Sequence, residues 1–257
     1  MLELASKIGL DASLIDKLTT LTDIDADLSR LPSADDVTRL AICVKYAKKI
    51  TEKEYKSKGI PDNIFIDTMH DIAVWCENNG NKGLKNYSWI EHHLKCELFK
   101  IGRLQYQMYR CDNDSLDYDC LPFDYGENLI YVHIPQGERL IYSECLKSLM
   151  NAKLFFLSYF SDFKYRYFFS ESWLLYRENQ LFMAADSNIL QFQLLFDIVY
   201  SAPDEAQAIE RIFGKKRILK SLYPENTSLQ RRAKRYMKRG GKLGIGIGII
   251  DKNDISV

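Results

Sequence analysis

The sequence predicts an α+β protein, a helical first part followed by strands mixed with helices. Three observations predict it. Apolar residues recur at helical spacing before residue 98, and alternating and aromatic runs of strand type begin only near Lys100. The later strands are separated by helical segments. With 257 residues, 46% of them apolar, the chain can build one large domain or two small ones around a real core.

Taken in order, Leu10, Leu14, Leu18 and Leu21 repeat at helical spacing. Ser33 is the expected N-cap of SADDVTRLAICVKYAKKITEKEYK, with acids in the first turn where the helix dipole favours them. Pro61 opens PDNIFIDTMHDIAVWCENNG, and Gly80 stops it. NYSWIEHHLKCELF is a further helix with Trp89 and Leu94 inward. RLQYQMY alternates as a strand with one wet face, and the acidic, turn-rich CDNDSLDYDCLPFDYGEN is a loop. LIYVHI is a second strand and IYSECLKSLMNAKLFFLSYF a helix. KYRYFFSESWLLY is a third strand, and two helices follow, near SNILQFQLLFDIVYSA and DEAQAIERIFG. TSLQRRAKRYMKRGG is a basic helix stopped by glycine. KLGIGIGIID closes the chain as a strand with glycines on one face and isoleucines on the other.

Lys+Arg and Asp+Glu both total 35, so no global field recruits nucleic acid or a membrane, and neither partner is expected. An anion site must be local. The start, MLELASKIGLDASLIDKL, has no long apolar run and reads as neither signal nor transit peptide. No run of about 18 apolar residues occurs. Six cysteines without a CxxC pair read as reduced, mostly buried thiols of a cytoplasmic protein, and none stands out as a nucleophile.

Several strings carry candidate chemistry. His133-Ile134-Pro135-Gln136-Gly137-Glu138-Arg139-Leu140 joins a strand to a helix. Such a turn can hold a phosphate on the amides of the helix start, or it can simply connect two elements. His133, at the strand end, has the reference pKa of a base near neutrality. Glu171 and Ser172 lie on the third strand, where Glu171 can serve as a base or orient His133. Arg103, Gln105 and Gln107 share one strand face, either lining a substrate groove or solvated. Ser187 caps a helix whose first residue, Asn188, either continues the cap or reaches a cleft. Asp67, His70 and Asp71 fall on one helical face, with His92 and His93 on the next helix. Adjacent histidines diverge on a helix, so no metal is expected. QRRAKRYMKRGGK holds seven basic residues in thirteen, a solvated helix or a contact for phosphate, RNA or an acidic partner. GIGIGI is not a dinucleotide loop, because no helix follows it.

IFIDTMHDIAVW, KGLKNYSWIEHHLKCELFKIGRLQYQM, VHIPQGERL, SWLL, SNILQFQ, PENTSLQ and GGKLGIGIGII together resemble a bacterial family of acyltransferase domain-containing proteins. The resemblance implies an N-acyltransferase-type helical domain over 1–97 and a GNAT-like domain over 98–257, a twisted mixed sheet flanked by helices. It also implies acetyl-CoA or another acyl-CoA as donor, with transfer to an amine or hydroxyl by direct attack. In such folds this turn holds the CoA pyrophosphate, which points to Ile134, Gln136, Gly137 and Arg139. His133 then serves as base with Glu171 or Ser172 assisting, and Arg103, Gln105 and Asn188 face the acceptor. The chain departs from the family pattern in two places. The residue before Ser172, often histidine, is Glu171, and the turn has one glycine where two are usual. Pro135 also removes a donor and Glu138 places a negative charge beside the pyrophosphate, which Arg139 can offset. The imperfect turn keeps a second expectation open, a non-catalytic GNAT-like module that binds a small molecule or partner.

Overall fold

The computed structural model describes residues 1–113 and 118–256. Contacts divide the chain into two compact units. One comprises Met1–Ile101, Gln105–Met108 and Phe155–Ser161; the other comprises Gly102–Leu104, Tyr109–Leu154 and Asp162–Val257.

The first unit opens with α1 (Leu2–Lys7) and α2 (Ala12–Leu18). The leucine repeat is split between them, because Gly9 turns the chain at φ +79° and Asp11 caps the second helix. The cap of α3 (Asp36–Tyr46) is Asp35 and not Ser33. Its carboxylate accepts from the amides of Val37 and Thr38, both at 3.0 Å, whereas Ser33 ends a 3₁₀ turn over Leu28–Ser33. A π turn at Ala47–Thr51 leads into α4 (Glu52–Lys58). There the buried Thr51 hydroxyl donates to the Leu94 carbonyl at 2.7 Å. Then come α5 (Asp62–Asn78), which starts after Pro61 as predicted, α6 (Tyr87–Leu94) and β1 (Leu98–Ile101). Phe99 sits among the rings of Tyr55, Phe155, Phe156 and Phe160, at centroid distances of 4.9–6.1 Å.

The remaining elements are β2 (Leu104–Arg110), β3 (Asn128–His133), α7 (Tyr142–Tyr159), β4 (Tyr167–Ser172), α8 (Asn188–Gln193), β5 (Asp197–Ala202), α9 (Glu205–Phe213), α10 (Ser228–Lys238) and β6 (Ile245–Asp251). Six strands form one sheet in the order β1-β2-β3-β4-β6-β5. It is mixed: β3 and β4 are parallel, and β6 runs antiparallel to both β4 and β5. The segment 197–202, expected to continue a helix, is a strand. It pairs with β6 through Tyr200–Ile247 and Ala202–Ile245, and pairing this distant in sequence overrides the local pattern. The third predicted strand ends at Ser172, where a 3₁₀ turn over Trp173–Leu175 begins. The predicted acidic loop includes 114–117, which lie outside the described residues; Tyr118–Cys120 within it is a 3₁₀ turn.

The closing Gly-Ile alternation has the expected close packing. A Cβ at Gly246 would collide with the carbonyl of Leu175, and one at Gly248 with Phe196 and Leu175. On the opposite face Leu129, Tyr167, Phe169, Ile247 and Ile249 form a core layer with Tyr109 and Tyr131 against it. Among the described residues no helix is long and apolar enough to cross a membrane.

Candidate active site

The parallel strands β3 and β4 end side by side at His133 and Ser172. Their ladder pairs Ile130 with Phe168 and Tyr131 with Phe169, while β4 stays paired to β6 as far as Ser172–Gly246. Past the Tyr131–Phe169 pair, side chains bridge the two strands. The Ser170 hydroxyl donates to the Val132 carbonyl at 2.9 Å, and the Tyr131 hydroxyl to the Glu171 carbonyl at 3.3 Å.

His133 and Glu171 stand at this end. Alternation places His133 with Tyr131 and Glu171 with Phe169 on one face of the sheet. The His133 ring stacks on Tyr131, 4.2 Å between centroids and 18° between planes, and Tyr131 meets Phe169 edge-on at 5.0 Å. Burial pushes the Glu171 carboxyl above its ordinary range, and the Asp204 carboxylate adds to the push. Asp204 follows β5 and caps α9; within that helix, the Gln207 side chain accepts the Trp173 amide at 2.7 Å. The ends of β3 and β4 thus carry His133 and Glu171 on one face, with Asp204 in electrostatic reach of Glu171.

The β3–α7 turn is held from one side by Arg103. Its guanidinium donates to the carbonyls of Arg139 (3.0 Å), Pro135 (3.1 Å) and Glu138 (2.7 Å). All three guanidinium nitrogens are so engaged, and Arg103 is buried, so its fork serves the turn and does not face an open acceptor groove. In a trans peptide the carbonyl and the following N–H point in opposite directions. Fixing those carbonyls therefore aims the amides of Gln136, Arg139 and Leu140 away from Arg103. Ile134 and Leu140 pack at the two ends of the turn against the core around Trp173 and Ile209. Residues 136–139 are exposed, and Gly137 adopts φ +105°, which other residues take only with strain. A single glycine thus suffices for the turn.

The other predicted residues fall elsewhere. Ser172 is buried, alternates to the face opposite Glu171, and caps the 3₁₀ turn by accepting the Leu174 amide at 3.2 Å. Ser170, which the sequence did not single out, sits on the seam instead. Asn188 is exposed at the start of α8, where Ser187 accepts the Leu190 amide; the inward work of that motif falls to Gln193, which donates to the carbonyls of Leu174 and Tyr176. Gln105 lies in the first unit, where its side chain favours the carboxylate of Asp71. Gln107 reaches His92 at 3.3 Å.

The helical face of His70 and Asp71, where no metal is expected, carries hydrogen bonds. Asp71 accepts from the Trp89 indole at 2.7 Å and the Trp75 indole at 3.2 Å, with His93 Nε2 at 3.2 Å. His70 bonds the Ile8 carbonyl at 2.8 Å, and among the described residues no three His, Cys, Asp or Glu side chains form a metal-holding group. Cys145 is buried in α7, and that burial pushes its thiol up to about 11, far from a nucleophilic thiolate.

Comparison with known proteins bears on the family and the fold. A family model described as an N-acyltransferase N-terminal domain matches residues 3–96, and one described as a GNAT-like C-terminal domain matches residues 98–250. No curated protein matches the chain. Among solved structures, an acyltransferase in complex with decanoyl-CoA and teicoplanin is similar at TM-score 0.76 and 18% identity, covering 97% of this chain and 86% of that one. A mutant acyltransferase in complex with octanoyl-CoA is similar at TM-score 0.76 and 17% identity over the same shares. At such identity the likeness establishes the fold.

Proposed function

The chain belongs to the N-acyltransferase family that pairs these two domains, and on that premise we propose that it moves an acyl group from acyl-CoA to an amine or hydroxyl acceptor by direct attack. The observation that carries the proposal is the β3–α7 turn, anchored through three carbonyls by Arg103 and lying next to the strand end that bears His133. The exposed turn 136–139 suits a pyrophosphate, because the amides of a helix start and the positive end of α7 favour an anion there. Arg139 supplies a cation on the exposed side, against the opposing charge of Glu138. The likeness to chains that hold octanoyl- and decanoyl-CoA supports an acyl-CoA donor.

In the reaction the acceptor nitrogen or oxygen bonds to the thioester carbonyl carbon and the carbon–sulfur bond breaks. The nucleophile's proton passes to the His133–Glu171 pair, and the departing thiolate takes a proton back. A carboxyl raised by burial and by Asp204 is a stronger proton acceptor than an ordinary carboxylate. Direct attack fits the protonated state of Cys145.

The test is release of free CoA thiol from decanoyl-CoA and acetyl-CoA across a panel of small amines and alcohols, with wild type, His133→Ala and Glu171→Gln. Acceptor-dependent release that either substitution lowers by about 100-fold supports the reading. Tight acyl-CoA binding with no release for any acceptor favours the non-catalytic module.

A further inference from the structure

The zero net charge conceals a strong segregation. Of the 35 Lys and Arg residues, twelve lie in 211–242, against one of the 35 acids, Glu225. The remaining chain therefore carries 23 basic and 34 acidic residues. The basic segment is one structural body. Lys220 donates to the Met237 carbonyl at 2.7 Å, Lys234 to the Tyr223 carbonyl at 2.6 Å, and Arg231 to the Glu225 carbonyl at 2.8 Å. These bonds strap the loop 214–225 to α10, whose N-terminus is closed by a Thr227–Gln230 capping box. On its outer side the loop exposes Lys215, Lys216, Arg217 and Lys220. Between these cations stand aliphatic side chains with no cover: Ile218 is 97% exposed, and Leu219 and Leu222 are each 59% exposed.

We propose that this loop docks the protein on an anionic lipid surface. Aliphatic side chains interleaved with Lys and Arg are the composition of an interfacial anchor: the cations meet lipid phosphates and the apolar tips enter the acyl boundary. Ile218 projects, and a projecting aliphatic needs either a matching pocket or a deformable apolar phase; the bilayer supplies the second. Nucleic acid offers no site for Ile218, Leu219 and Leu222, and the one aromatic on α10, Tyr236, is engaged by Phe182 and Glu178. The acidic excess over the rest of the chain is repelled by the same surface, which orients the bound molecule with 211–242 inward. The expectation of no membrane partner rested on net charge, and net charge averages over this patch.

Co-sedimentation of the full chain with phosphatidylcholine vesicles, with and without 30% phosphatidylglycerol, tests the proposal. Wild type binds the anionic vesicles at low salt, and binding weakens about tenfold or more in Lys215→Glu/Lys216→Glu. Binding weakens likewise in Ile218→Ser/Leu219→Ser/Leu222→Ser, and at high salt in wild type. All five substituted positions are exposed, so unchanged thermal midpoints keep the comparison interpretable. Three results would each overturn the proposal: no binding to anionic vesicles at low salt, equal binding to neutral ones, or full binding by the serine variant. The last would reduce the patch to a charge contact that any polyanion could make, with no part for Ile218, Leu219 and Leu222.

Discussion

Two carboxyls, the half-buried Glu171 and the buried Asp71, are pushed in opposite directions, and their consequences separate function from stability. Glu171 is raised by burial and by Asp204. Its contribution to stability is full below the ordinary carboxylate range and is lost as pH rises through its raised value. Glu171→Gln is therefore expected to raise the melting temperature at neutral pH while lowering turnover about 100-fold. The acid limb of wild-type turnover should lie above the ordinary carboxylate value and vanish in Glu171→Gln. Scanning calorimetry and initial rates check these outcomes; a variant that melts lower would remove the strain argument. For Asp71, burial acts to raise the carboxyl, but the bonds from His93, Trp89 and Gln105 outweigh it and hold the group low. Its contribution is present at neutral pH and is lost as pH falls below the ordinary range. Asp71→Asn should cost about 3–5 kcal/mol at pH 7. The gap to wild type should narrow in melts carried toward pH 3. His133 and Glu171 were legible as candidates because each residue type at a strand end implies proton transfer. The influence of Asp204 was not, since it arrives from a strand the sequence reading had made a helix.

At the scale of elements, the turn after β3 was legible from its Pro and Gly, but its anchor was not. Arg103 sits about thirty residues upstream, and only the fold shows that its fork collects the carbonyls of Pro135, Glu138 and Arg139. Arg103→Lys keeps the charge and loses the fork, so affinity for CoA should fall about tenfold or more while the melting temperature changes less than in Arg103→Ala. Isothermal titration of both variants decides this, and unchanged affinity would detach the turn from CoA. The glycines of β6 were read correctly as a packing device. What they pack against, the Leu175 carbonyl and Phe196, depends on a 3₁₀ turn that the aromatic run had disguised as strand. Gly246→Ala has no space for its methyl and should destabilise by about 1–3 kcal/mol, measured by urea denaturation.

For the molecule as a whole, helix followed by mixed sheet was readable because helical spacing dominates one end of the sequence and strand patterns the other. The strand order was not readable. The chain's last strand enters between β4 and β5, and no local pattern records such a non-local insertion. Charge shows the same loss of information in reverse, since a total of zero hid a basic body at 211–242. We propose that acyl-CoA is held at the β3–α7 turn, beside the ends of β3 and β4. Hydrogen–deuterium exchange of the full chain, with and without decanoyl-CoA, tests it most directly. The account predicts slowed exchange across 134–145, with a smaller effect at 170–173. Binding that leaves these amides unchanged, or protects only another region, would contradict it.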